Sequence, residues 1–473
     1  MVLFQIDYYN KYRVTPLPFC TELKNMTNNK TIFDFLHFSR PTEEQKTVLQ
    51  AMANFVQKEN QEDFMILCGA AGTGKTSITS ALIGYLNELD RPYKIAAPTG
   101  RAARILGRKA NTCTSTIHSM IYLVSPNKET GAVSLKLKNT TDAKPVIYIV
   151  DEASMIPKNV NAENELFFTE HGLMFDLIHY VKSANVSNKI IFLGDEYQLP
   201  PIGEKQSYAL DKDFLEQTFN LKGSSYYLTE VKRQADGSYI LENATEIRKA
   251  IDEKRMQVPI KGTQNRNIYD AVAKYVREVN AMDVGNSVAI GVSHKANKLF
   301  NDLVRERIFG DARKHLEPND LLMVTQNWTR NGATLYNGDH VRLISVDWNL
   351  QEEVAGLHFV AVTIKPLFAQ HDEIIEDLAL LESIISPGGQ IDRNLENELR
   401  RQRYTKNPLF RESGMPADDR YVGALRLMYG HAITCNKAQG GEWKKVYINT
   451  WGIPSLKWQY TAVTRGIEEI EKF

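Results

Sequence analysis

From Phe64 to about residue 230, short apolar runs alternate with stretches whose apolar residues recur at helical spacing. The runs are "FMILCGA", "KIAAPTG", "VIYIVDEAS" and "KIIFLGDE". Buried strands alternating with helices predict a parallel α/β sheet with its chemistry at the strand C-termini. Ahead of them, "PTEEQKTVLQAMANFV" reads as a helix with Thr42 as N-cap and Gln45 three residues on, a capping box. Residues 1–40 read as an N-terminal extension with a helical stretch around "IFDFLHF".

A second α/β pattern starts at "SVAIGVSHKANKLFNDLVRERIFG", a strand over 287–292 followed by a helix. It resumes at "VGALRLMYGHAITCNKAQG" and "KKVYINTW". In between, "DLLMVTQN", "GDHVRLISVDW" and "HFVAVTIKPLF" alternate apolar and polar residues, as strands of a small barrel do. Residues 371–415 are densely charged and split by "SPGG"; they predict a helical insertion, with a disordered loop as the alternative.

Length and composition add bounds. A chain of 473 residues exceeds one small core, so two or more domains are expected. With 43% hydrophobic and 24% charged residues it reads as an ordinary globular protein. No apolar run approaches the roughly 20 residues of a membrane span. The opening "MVLFQIDYYNKYRVTP" lacks the basic start and apolar stretch of a secretion signal. Cys20, Cys68, Cys113 and Cys435 show neither metal-ligand nor disulfide spacing, which fits a reducing, intracellular compartment. Net charge is zero, so any nucleic-acid surface must be a local basic groove.

The chemistry begins at "GAAGTGKT", Gly69 to Thr76, which matches G-x-x-x-x-G-K-[ST] between a strand and a helical pattern. Backbone N–H groups around Gly72, Thr73, Gly74 and Ser77 suit phosphates, Lys75 neutralises β/γ oxygens, and Thr76 suits magnesium. The loop predicts a bound nucleoside triphosphate. Asp151 ends "VIYIVDEAS", where it can hold magnesium through water, and Glu152 is placed to polarise an attacking water. Gln198, in "GDEYQLPP", follows the strand expected beside that of Asp151. Its amide can sense a γ-phosphate without changing charge. A turn cap before Pro200 explains it equally well.

The ordered motifs resemble superfamily 1 helicases of the RecD/Pif/Dda branch. They are "PTEEQ", the phosphate loop, "APTGRAA", "TIHS", "DEAS", "GDEYQLPP", "LTEVKRQ", "TCNKAQGGEW" and "YTAVTRG", from residue 41 to 466. The resemblance implies an α/β fold of two RecA-like P-loop NTPase domains, with a β-hairpin (pin) insertion in the first and an SH3-like barrel insertion in the second. On that reading 41–235 is the first domain, with the hairpin at 119–145, and 236–285 is a helical linker. Segments 286–319 and 421–473 form the second domain, and 320–420 is the barrel, which includes the charged 371–415.

The resemblance also assigns roles. Gln45 reads adenine, Gln198 links the γ-phosphate to the nucleic-acid groove, and Arg233 and Arg465 are arginine fingers. Gln439, Gly440 and Glu442 approach the nucleotide from the second domain. Pro98, Thr99, Arg101, Thr116, His118, Thr434 and Lys437 contact the strand, although Thr116 and His118 also suit plain structural duties. Two positions depart from the pattern: Asn436 replaces a histidine, and Arg101 replaces a lysine. ATP and magnesium are the implied cofactors. Single-stranded DNA and junction or G-quadruplex DNA are the implied partners, with no membrane, for a monomer in a bacterial or phage-infected cytoplasm.

The implied activity is 5′-to-3′ travel on single-stranded DNA with duplex unwinding. "MIYLVSPNKETGAVSLKLK" (Met120–Lys138) reads as a hairpin that could split base pairs or be a mere surface ornament. Competing readings are an Upf-like RNA helicase, a binding module without turnover, and a switch ATPase acting on protein.

Overall fold

The computed structural model describes residues 30–38, 40–126, 133–160, 167–168, 171–230, 239–280, 285–310, 315–367 and 373–473. Its first lobe is a six-stranded, all-parallel sheet. The strand order is Ser115–Thr116, Tyr93–Ala97, Ile147–Val150, Lys189–Gly194, Phe64–Gly69 and Gly223–Leu228. Every residue of strands 64–69, 147–150 and 189–194 is buried, as expected of parallel strands covered on both faces. The order matters for the site. The strand ending at Asp195 lies between the strand of the phosphate loop and the strand ending at Asp151. All three acidic or glycine-rich ends therefore meet at one sheet edge.

The predicted helix start is realised: Gln45 N donates to Thr42 Oγ1 (3.1 Å) and Thr42 N donates to Gln45 Oε1 (3.0 Å), opening helix Glu43–Phe55. Between the motifs, strands Tyr122–Pro126 and Val133–Leu137 pair antiparallel. A third strand, Phe167–Phe168, adds to them in parallel, which the sequence pattern did not suggest. The connecting segment 127–132 lies outside the described residues.

The second lobe is a five-stranded parallel sheet in the order Thr263–Gln264, Gly466–Lys472, Trp443–Ile448, Ser287–Gly291 and Ala432–Thr434. The expected linker 236–285 differs from its reading. Its helix Tyr239–Asp252 buries Ile240, Ala244 and Ile247 in one cluster with Val288, Ile290 and Val446, and its strand 263–264 joins the sheet. Apolar burial makes it part of the lobe.

Inserted after helix His294–Phe309 is a five-stranded antiparallel sheet: Ile375–Leu380, Leu357–Pro366, His340–Val354, Leu321–Val324 and Leu427–Tyr429. The last strand lies beyond the expected boundary at 420, because Leu427 and Met428 pair with Val324 and Met323. Segment 371–415, expected as a helical insertion, is helical over 381–385, 393–406 and 408–413 but not at its start. Residues 375–380 form a strand paired with Phe359–Ile364, and helices Arg393–Lys406 and Pro408–Ser413 follow. Pairing overrides the helical spacing of "EIIEDLALL". Asp377 secures that edge by accepting hydrogen bonds from Trp328 Nε1 (2.7 Å) and Arg330 Nη1 (2.5 Å).

Candidate nucleotide and nucleic-acid site

The phosphate loop turns on two glycines, Gly72 and Gly74, with φ of 83° and 92°, a region closed to most side chains. Thr73 Oγ1 donates to the Ala70 carbonyl (2.9 Å), and Lys75 turns back onto the carbonyls of Gly69 and Ala70. Lys75, Thr76 and Ser77 form the first turn of helix Lys75–Glu88, whose N-terminal N–H groups face the loop. Gln45 sits against it: its Nε2 donates to the Thr73 carbonyl (3.0 Å) while its Oε1 serves the capping box. One end of the amide holds the loop and the other the helix cap, which leaves its second N–H and second oxygen lone pair for an adenine edge.

At the neighbouring strand end, Asp151 Oδ1 accepts from Glu152 N (2.9 Å), and Glu152 adopts a left-handed φ of 51°. A non-glycine residue held there is typical of functional sites. Burial and the adjacent Asp151 push the Glu152 carboxyl up to about 7, while the positive charges of Arg465 and Lys75 pull it back. Burial also raises Asp151, against the pull of Lys75 and Lys109. One hydroxyl and one carboxylate, Thr76 and Asp151, are hard oxygen donors of the kind magnesium takes alongside phosphate oxygens. Among the described residues there is no cluster of three or more acids, histidines or cysteines that would form a self-sufficient metal cage.

The loop after strand 189–194 is where the two lobes meet. Tyr460 Oη donates to Asp195 Oδ2 (2.8 Å), and Lys457 Nζ donates to the Glu196 carbonyl (2.8 Å). Leu199 N donates to Thr461 Oγ1 (2.8 Å), and Gln439 Nε2 donates to the Leu199 carbonyl (2.9 Å). Four side chains of the second lobe thus grip Asp195, Glu196 and Leu199 of the first. Gln198 lies in the middle, 4% exposed, with its Oε1 buried and without a hydrogen-bond partner. Its N–H closes a turn on the Asp195 carbonyl (3.2 Å), so the turn reading accounts for the backbone but not for the side chain.

Arg465 ends the same helix region that carries Tyr460 and Thr461. Its guanidinium is 4% exposed, donating to the carbonyls of Thr461 (3.1 Å) and Gly441 (3.2 Å) and to Thr464 Oγ1 (3.1 Å). Gly440 turns with φ of 71°, and exposed Glu442 lies 4.0 Å from Lys109 Nζ. Arg233 falls outside the described residues. The backbone just before it is fixed: Glu44 accepts from Thr229 N (2.7 Å) and Glu230 N (3.1 Å). A cavity of about 270 Å³ opens here, lined by Gly69, Glu196, Tyr227, Thr229 and Arg248.

The seven expected strand contacts divide. Thr99 and Thr116 cap their helices, accepting from Ala102 N (3.2 Å) and Ser119 N (3.0 Å), next to part-exposed Pro98 and His118. Burial lowers the His118 pKa, and its ring lies 5.7 Å from that of Tyr122. Thr434 and Lys437 are part-exposed at the short helix Cys435–Ala438. Arg101 differs. It is 8% exposed, donates to the Gly338 carbonyl (2.9 Å) and lies 5.0 Å over the Trp443 ring. Burial lowers its pKa to about 10. In this arrangement it ties the first lobe to both other units rather than facing a groove. Beside it Arg104 donates through both terminal nitrogens to the Asp339 carboxylate. That pair, and Tyr460 and Thr461, were not singled out in the sequence.

The comparisons follow the same order along the chain. The family model of the AAA domain matches residues 52–204, and that of the UvrD-like helicase C-terminal domain matches 429–469. The phage T4 "ATP-dependent DNA helicase dda" is 26% identical over 285 residues, 58% of either chain. The "ATP-dependent RecD2 DNA helicase" of Deinococcus radiodurans is 28% identical over 161 residues, 34% of this chain and 18% of its own. Over these parts the chain is similar to helicases of the RecD/Pif/Dda branch of superfamily 1. The "ATP-dependent DNA helicase Pif1" of a Psychrobacter species matches this chain at 29% identity over 198 residues, 40% of this chain and 27% of the relative. The matches span only 18 to 58% of these three relatives' lengths. In fold, the chain is similar to the Candida albicans Pif1 helicase, with TM-score 0.50, 14% identity, and coverage of 92% of this chain and 94% of that one.

Proposed function

We propose that this chain is an ATP-dependent 5′-to-3′ DNA helicase, which translocates on single-stranded DNA and unwinds duplex and G-quadruplex DNA as a monomer. The observation that carries the reading is the grip of Tyr460, Lys457, Thr461 and Gln439 on residues 195–199, which ties the Gln198 loop to the Arg465 helix across the nucleotide cleft.

ATP enters with its phosphates on the Gly72–Ser77 backbone and Lys75. Thr76 and Asp151 are the residues that would hold magnesium, which would supply charge neutralisation at the phosphates. Glu152, its carboxyl raised to about 7 by burial, is a competent base near neutral pH for an attacking water. Arg465, and Arg233 from the segment after Glu230, stabilise charge on the transferring phosphoryl group only when the lobes are closed. The Gln198 amide N–H, a donor without charge, is the group assigned to report whether the γ-phosphate is present.

If each lobe holds the strand, by Pro98, Thr99, Thr116 and His118 on one side and Thr434 and Lys437 on the other, closing and opening slides one grip while the other holds. The hairpin 122–137 is the candidate wedge. A bacterial or phage-infected cell is the setting that suits this reading. Unwinding of duplexes carrying a 5′ or a 3′ single-stranded tail tests it: 5′-tailed substrates open with ATP and 3′-tailed ones do not. Equal failure on both removes the helicase reading. Stronger ATPase stimulation by ribo- than by deoxy-oligonucleotides would move it to the RNA-acting branch.

A further inference from the structure

Charged side chains hold the helical part of the insertion to its sheet, and several are directly partnered. Arg403 Nε donates to Asp419 Oδ2 (2.8 Å) and Arg330 Nη1 to Asp377 Oδ1 (2.5 Å). Glu382 is taken up by His358, 3.1 Å from its backbone N and 2.7 Å from Nδ1. Arg400 and Arg426 differ. Each is 4% exposed, the first on helix Arg393–Lys406 and the second just before strand Leu427–Tyr429. Leu425 and Leu427 lie in the core of the inserted sheet, so Arg426 between them points from the other face toward that helix. There Nη2 of Arg400 and of Arg426 converge on Glu396 Oε1, at 3.9 and 4.0 Å, beyond hydrogen-bonding distance. Among the described residues, Arg400 Nε, Nη1 and Nη2 and Arg426 Nε are buried with no hydrogen-bond partner. Arg426 Nη1 reaches only the Ala424 carbonyl, at 3.5 Å. Burial lowers the pKa of both arginines, that of Arg426 to about 10, which leaves both charged at neutral pH.

Two buried cations thus share one carboxylate that neither bonds, and unpaired buried charge is costly. A water molecule brings no charge and accepts few of these N–H groups. An oxyanion brings negative charge and several acceptor oxygens in the geometry that guanidinium forks match. Burial of the arginine nitrogens excludes a phosphate carried on a nucleic-acid backbone. We propose that Arg400 and Arg426 bind a small inorganic oxyanion, phosphate or sulfate, which clamps helix Arg393–Lys406 to the inserted sheet beside Glu396. Order in the charged insertion then depends on a dissolved ion. The site is independent of the helicase reading.

The test is hydrogen–deuterium exchange of the full chain in potassium gluconate, whose anion is too bulky for the site, with and without millimolar phosphate or sulfate. An ion held only while the helix is docked makes its opening rarer. Amides of 393–406 exchange about tenfold more slowly with either anion, and the effect saturates. Phosphate also suits the loop at 72–75, so protection there is the internal reference. Arg400→Met and Arg426→Met replace a buried charge by an apolar side chain; they fold, keep the response at 72–75 and lose it at 393–406. Glu396→Gln removes the competing carboxylate and lowers the phosphate concentration for half the effect by about tenfold. Exchange at 393–406 that is equal with and without both anions overturns the site, as does a response that survives in both methionine variants. Should those variants fail to fold, an unchanged or higher half-effect concentration in Glu396→Gln overturns it.

Discussion

The phenol of Tyr460 in the second lobe donates a 2.8 Å hydrogen bond to the buried carboxylate of Asp195 in the first. The two residues are 265 positions apart, and Asp195 is 1% exposed. Asp195 ends the strand between the phosphate loop and Asp151, and Tyr460 lies five residues before Arg465. In the proposed mechanism this contact couples lobe closure to the approach of Arg465.

Removing only the hydroxyl tests that link. Tyr460→Phe lowers strand-stimulated ATP turnover about tenfold, the effect of losing one hydrogen bond to a charged group. Asp195→Asn is milder, because its amide oxygen still accepts. Steady-state kinetics with saturating oligonucleotide measures both. An unaltered kcat in Tyr460→Phe would make the bond incidental to turnover.

Glu152→Gln separates binding from chemistry. The amide cannot accept a proton, so hydrolysis falls at least about a hundredfold while a fluorescent ATP analogue still binds. Full turnover in this variant would return the chain to a binding or scaffold role.

Arg104 and Asp339 join the first lobe to the inserted sheet through a bidentate pair whose carboxylate is 5% exposed. Breaking such a pair from one side strands a buried charge, so Arg104→Ala destabilises by about 3 kcal/mol. Asp339→Asn costs less, since it can still accept from Tyr336 N (2.8 Å in the parent). Denaturant unfolding of the two single variants and the double variant gives the coupling directly.

Deleting Pro126–Gly131 removes the last paired residue of strand Tyr122–Pro126 and most of the segment that connects it to Val133. Strand-stimulated ATPase persists and duplex unwinding is lost. Unwinding at the parent rate would make the hairpin a surface feature.

The periodic parts of the chain were readable because burial wrote them directly. The four wholly apolar runs are strands, and the Thr42–Gln45 capping box is in place. The reading of 375–380 as helix failed because its spacing satisfies a helix locally, whereas pairing with Phe359–Ile364 is a tertiary choice. Arg101 shows the same limit at the site. A basic residue after a glycine suggests a phosphate contact, yet Trp443 and Gly338, 342 and 237 residues away, enclose it. Motif order pointed to the residues proposed to surround the nucleotide. It carried no information on Tyr460–Asp195 or Arg104–Asp339, which depend on how the lobes dock.

The central claim is that a nucleotide cleft closed by two lobes is coupled to a nucleic-acid strand lying across both. ATP hydrolysis by the purified chain, measured with and without a single-stranded oligodeoxynucleotide, tests this most directly. The expected result is slow turnover alone and at least about tenfold stimulation by the oligonucleotide, with the stimulation reduced in Tyr460→Phe. Equal rates in its presence and absence would contradict it.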